Sequence, residues 1–91
     1  LFNPDGNTPK LDQIASSLYG FIYPYGYYMP FQDSDEESII KLLNVVGSSN
    51  FPKLVERYAV VNAGLISNAD LIYDLNRCLT AVDKAKINFT F

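Results

Sequence analysis

Carboxylates, tyrosines and one thiol are the side chains of this chain that could do chemistry. There is no His, so the commonest general base and the commonest metal ligand are missing. Asp33, Asp35, Glu36 and Glu37 lie close enough in sequence for paired acid–base work. The same residues precede an apolar run, where acids stabilise the positive end of a helix, and that role accounts for them. Asp5-Gly6-Asn7 has the opening of a calcium loop but lacks the remaining oxygen ligands at the required spacing. Cys78 is the single cysteine. It falls in an apolar stripe, where a thiol behaves as a small hydrophobe with a raised pKa. An internal disulfide is impossible, which makes Cys78 a candidate only for an intermolecular one. Ser16-Ser17 and Ser48-Ser49 have no base partner. Asn88-Phe89-Thr90 matches the N-glycosylation acceptor, so Asn88 is a candidate glycan site. No phosphate loop, zinc spacing or triad is present. No catalytic residue, metal ligand or cofactor is assigned, and the chain is not read as an enzyme.

One segment stands apart as a candidate binding surface. Tyr23, Tyr25, Tyr27 and Tyr28, four of the chain's seven tyrosines, share a short stretch with Met29 and Phe31. Tyr offers a large contact area with little rotamer entropy to lose, and it tolerates a half-wet position. The stretch is either a binding surface, for a second copy or a ligand, or an ordered lid across the core. Base stacking would need a basic track beside the rings. That track is absent.

These residues need elements to position them. Residues 1–8 read as a loop, since Asn3-Pro4 and Asp5-Gly6 are turn formers. A first helix is predicted over 9–22, with Thr8 as cap and Pro9 at its first position. Leu11, Ile14, Ala15, Leu18, Phe21 and Ile22 follow helical spacing, and Pro24 stops them. The Tyr-rich loop covers 23–33, because two prolines and Gly26 forbid a regular helix or a central strand. A second helix is predicted over 35–46, capped by Ser34 with Glu37 reaching back and ended by Gly47. Its Ile39, Ile40, Leu42, Leu43, Val45 and Val46 leave few polar positions, so it is buried centrally or against a partner. Ser48-Ser49-Asn50 reads as a linker. A third helix spans 52–63, opened by Pro52 and stopped by Gly64, with Leu65 in the usual apolar contact. A fourth spans 68–85 after a capping box at Ser67 to Asp70. It carries one stripe of Leu71, Ile72, Leu75, Cys78, Leu79 and Val82, with Asp70, Asp74 and Arg77 outside it. Residues 86–91 form a tail, either extended or packed as a strap.

The pattern describes one all-α domain over 1–91. It is a small antiparallel bundle of four helices, or five counting short turns, with a long aromatic loop between the first two. The chain has 91 residues and a net charge of −3. It lacks the basic stripe that nucleic acid requires, and no apolar run reaches the length of a membrane span. The start at Leu1, the lone Cys and the sequon favour a secreted or excised chain. Two functions fit. The first is a structural or interaction domain that self-associates, most simply as a homodimer, or binds another protein. The second is a carrier of a small apolar ligand, with Ile, Leu and Val lining a cavity that the tyrosines gate.

Overall fold

The computed structural model describes Phe2 and residues 9–91. The expected loop over 1–8 (Phe2 apart), the calcium-like Asp5-Gly6-Asn7 and the Thr8 cap lie outside the described residues. Most of the described chain is helical. The helices are α1 (Leu11–Ile22), α2 (Glu36–Val61), α3 (Leu71–Cys78) and α4 (Ala81–Ala85). Among the described residues there is no strand, only an isolated antiparallel bridge between Phe2 and Pro9. The radius of gyration is 12.4 Å, against about 12 Å for a compact chain of this length.

The number of helices agrees with expectation, but their partition does not. α1 starts two residues later than predicted, and its cap position, Lys10, makes no side-chain cap bond. It buries Ile14, Ala15, Leu18 and Ile22, the spacing of one helical face. Ser34 does not cap α2. Its hydroxyl donates to the Ile22 carbonyl at 2.7 Å, closing the end of α1. Asp35 takes the cap, with its carboxylate accepting from the Ser38 backbone N–H at 3.2 Å and the Ser38 hydroxyl at 2.8 Å. Glu37 instead meets Lys41 at 3.2 Å on the surface.

The predicted second and third helices abut as one kinked element, two helical stretches that break at Gly47 where the stop was expected, with no linker between them. Gly47 has φ 75° and ψ 170°, a conformation open essentially to glycine alone. A Cβ there would meet open space, so the backbone and not crowding requires glycine. Helical geometry resumes at once, and Ser48-Ser49-Asn50 is helix rather than linker. The Asn50 side chain donates to the Val46 carbonyl at 3.4 Å, across the kink. Pro52 sits inside the element instead of opening it. Gly64 does not take a left-handed stop, since the positive-φ glycines among the described residues are Gly26 and Gly47. α2 ends on buried Asn62, whose side chain donates to the carbonyls of Tyr58 at 3.0 Å and Ala15 at 3.3 Å. Leu65 is exposed, and Ile66 makes the core contact in its place.

The predicted fourth helix is two. Asp70, not Ser67, caps α3 by accepting from the Tyr73 N–H at 3.1 Å. Leu79 is extended, and Thr80 and Asp83 form a reciprocal capping box that starts α4. The break changes the helical phase, so Val82 is exposed, while Leu71, Leu75 and Leu79 stay buried; Ile72, before the break, sits at the edge of the buried face and is 39% exposed. The tail is a packed strap. Ile87 is buried, and Phe89 and Phe91 lie 5.1 Å and 5.4 Å from the Phe51 ring. The Asn44 side chain holds the strap at both edges, donating to the Lys86 carbonyl and accepting from the Asn88 N–H.

α2 is central to the core, giving Ile39, Leu42, Leu43, Val46, Phe51, Leu54 and Tyr58 to a single buried cluster. α1 packs mainly along it, and α3 and α4 both touch it. The apolar run of residues 39–46 is mostly covered within the chain, with Ile40 half-buried and Val45 exposed. No described helix is long and apolar enough to cross a membrane.

Candidate functional site

The Tyr-rich loop leaves α1 at Tyr23, whose N–H still donates to the Tyr19 carbonyl at 2.8 Å. It returns where the Asp35 N–H donates to the Phe21 carbonyl at 2.9 Å. Its two ends are therefore stitched together beside the end of α1, the geometry of a compact Ω-like loop. Inside, Gly26 N–H reaches the Tyr23 carbonyl and Met29 N–H the Gly26 carbonyl. Gly26 has φ 82°, and Phe31 and Asp33 also take positive φ, 60° and 55°. Such values are uncommon for a bulky residue. At Phe31 the ring is held 5.2 Å from Tyr23, with the Arg77 guanidinium 5.8 Å above it.

What fixes the loop is a buried carboxylate. Asp74 is 3% exposed. Its Oδ1 accepts from the Tyr23 hydroxyl at 2.8 Å, and its Oδ2 from the Tyr58 hydroxyl at 2.7 Å. One side chain of α3 thus ties the loop to the last turn of α2. Burial pushes the Asp74 carboxyl above its ordinary value, and the two hydroxyl bonds pull the other way. Both tyrosine hydroxyls are raised far above the usual phenol range, first by burial and then by their bonds to Asp74. Tyr19, stacked 5.1 Å from Tyr23, is raised by burial and by the Asp74 charge.

Over this unit lies an open cleft of about 800 Å³ between the loop and α3. Tyr27, Tyr28, Pro30 and Phe31 form one wall, and Ile66, Asn68, Asp70, Tyr73 and Arg77 the other, with Tyr23 and Asp74 beneath. Tyr28 is fully exposed, and Tyr25, Tyr27, Met29 and Tyr73 are about half so or more.

The sequence-derived site residues therefore separate. Tyr23, Tyr27, Tyr28 and Phe31 meet at the cleft, whereas Tyr25 and Met29 point to solvent outside its lining. Tyr23 is itself buried and positions the loop. Tyr23 and Phe31 pack on the core as a lid would, while Tyr25, Tyr27 and Tyr28 stand about half exposed or more. Asp74 was expected outside the apolar stripe and lies within it. Its position, three residues after Leu71 and four before Cys78, is on the buried face, and that spacing was the available signal. Tyr58, Tyr73, Asp70 and Arg77 carried no comparable signal, because their meeting depends on how α3 approaches the loop.

The remaining candidates lie elsewhere. The Cys78 thiol is half-buried, and burial, with the Asp74 charge second, pushes it up to about 12. Its sulfur is 3.9 Å from the Leu75 carbonyl. Asn88 is exposed on the strap, with Thr90 exposed and Phe89 turned toward the core. Among the described residues no group of three or more acidic or thiol side chains is arranged to hold a metal ion. No family model matches the chain, and neither a curated protein nor a solved structure matches it.

Proposed function

We propose that this chain is a non-enzymatic interaction domain, an antiparallel helical bundle whose contact face is the cleft between the Tyr-rich loop and α3. The bundle arrangement is supported by α1 lying along α2 and by the stitched loop ends that join them. One observation carries the functional reading. Tyr27, Tyr28 and Tyr73 are exposed together on a loop and helix that Asp74 pins from below. Exposed rings held in a fixed place lose little freedom on contact, which favours affinity. A non-enzymatic role is supported by the state of the reactive groups. Asp74 is engaged by two phenols, and the Cys78 thiol is raised to about 12.

The occupant is another protein, with a homodimer as the simplest symmetric form. The cleft volume also falls within the range of small-molecule sites, which favours the ligand-carrier reading as second. Its walls are tyrosines, asparagine and charged residues rather than the Ile, Leu and Val that an apolar cargo would meet.

Sedimentation equilibrium at rising concentration tests the homodimer. A homodimer through the cleft would raise the mass from 10.2 kDa toward twice that value, and Tyr28→Ala, at a fully exposed position, would hold it at the monomer. A strictly monomeric wild type at high micromolar concentration removes the homodimer. Saturable uptake of a fluorescent fatty-acid analogue, blocked by the same substitution, would favour the carrier instead.

A further inference from the structure

The charges around the cleft are unevenly signed. No Lys or Arg occurs between Lys10 and Lys41, a stretch that includes α1, the whole Tyr-rich loop and the start of α2. Asp33 follows the cleft residue Phe31 by two positions and is exposed; its charge raises the neighbouring Tyr25 phenol. Asp70 lies on the opposite wall and Asp74 beneath. The only cation lining the cleft among the described residues is Arg77, and it already lies over the Phe31 ring. The cleft thus combines ring faces with carboxylates, the chemistry that receives an ammonium or guanidinium group, and Arg77 is an internal instance of that fit.

We infer that the cleft docks a basic segment of a partner protein, with one Arg or Lys side chain lying among Tyr27, Tyr28 and Tyr73 against the Asp70 carboxylate. This rests on the interaction-domain reading and names the partner's chemistry. The incoming cation meets negative potential and exposed ring faces at once. Arg77 competes with it for the aromatic wall. A symmetric homodimer through the same cleft would bring the Asp70 and Asp33 groups of two copies together. Added salt therefore weakens the basic segment's contact and relieves the homodimer's, so the two occupants have opposite salt responses.

The test titrates the full chain with a capped Gly-Arg-Gly-Arg-Gly peptide and with its Gly-Glu-Gly-Glu-Gly counterpart, followed by amide chemical shifts. The Arg peptide gives saturable shifts confined to the Tyr-rich loop and to the Ile66–Arg77 wall. The Glu peptide gives none, and added salt weakens Arg-peptide binding severalfold. Tyr28→Ala weakens it about threefold to tenfold. Arg77→Gln strengthens it, a response that a purely structural arginine would not produce. Asp70→Asn weakens it while keeping the helix cap, since Asn caps nearly as well as Asp. Equal shifts from both peptides, shifts scattered away from the cleft, no saturable binding, or an affinity unmoved by Tyr28→Ala would each overturn the inference. Self-association that depends on Tyr28, without Arg-peptide binding, overturns the inference and leaves the interaction face standing. Indifference of both to Tyr28→Ala overturns the two together.

Discussion

Replacing Tyr58 with Phe removes one oxygen and leaves the ring in place. That oxygen donates to Asp74 Oδ2 at 2.7 Å, and the Tyr58 side chain is fully buried. The substitution deprives a buried carboxylate of one of its two hydroxyl donors, and no water can easily take its place. A hydrogen bond to a charged group is worth about 1.5–3 kcal/mol, and a buried acceptor left unsatisfied falls at the upper part of that range. We expect Tyr58→Phe to cost about 2–3 kcal/mol at neutral pH. A domain of this length holds roughly 5–14 kcal/mol in all, so the midpoint should fall by roughly 10–20 °C.

The pH dependence is the more specific signature. The native pKa of Asp74 is raised above the ordinary aspartate value of 3.8. Protonation at this site therefore favours the folded chain. The contribution is full below 3.8 and is lost as pH rises through the raised native value. Deleting a hydroxyl that lowers the native pKa raises it further. The penalty of Tyr58→Phe is then largest at neutral pH and shrinks on acidification toward pH ~4. Urea unfolding followed by circular dichroism at both pH values measures it. A penalty below about 0.5 kcal/mol, or one that does not change with pH, would refute the claim that a charged Asp74 is held by Tyr58.

Other consequences are simpler. Gly47→Ala should destabilise by about 1–3 kcal/mol in urea melts, because only the backbone conformation opposes it; a neutral or stabilising effect would mean that α2 straightens. The native Cys78 thiol should react with a maleimide or an aromatic disulfide reagent at least about tenfold more slowly than in denaturant, given its raised pKa and partial burial. Equal rates would place it in solvent. Phe89→Ala should cost about 1–3 kcal/mol, less than a full core deletion because the ring is half-buried, and thermal melts would show no loss if the strap were unattached.

The helical class was legible because its signals are local. Proline at position 24, the acids before Ile39 and the heptad-like spacing of α1 each act within a turn or two. The boundaries were less so. Ser34 and Asp35 are both good caps, and tertiary contact decided between them, since the Ile22 carbonyl took the Ser34 hydroxyl. The Thr80-Asp83 capping box is written in the sequence but interrupts a run whose apolar spacing continues, so the run hides it. Tyr23, Tyr27, Tyr28 and Phe31 were legible as a site because aromatic density marks them. Asp74 was hidden by residue type. A carboxylate on an apolar face reads as an exposed residue until its two phenol partners are known, and those partners lie 51 and 16 residues away.

The central claim is that the aromatic face is held in one arrangement by Asp74 rather than sampled by a loose loop. Amide hydrogen exchange tests this most directly. In the wild type, the Asp35 amide, bonded to the Phe21 carbonyl, and the Gly26 and Met29 amides should be protected well above random-coil rates. In Tyr23→Phe, which removes the bond to Asp74, those amides should exchange at least about tenfold faster while the Leu42 and Leu43 amides keep most of their protection. Random-coil exchange across the loop in the wild type, or identical loop rates in the two proteins, would contradict the account.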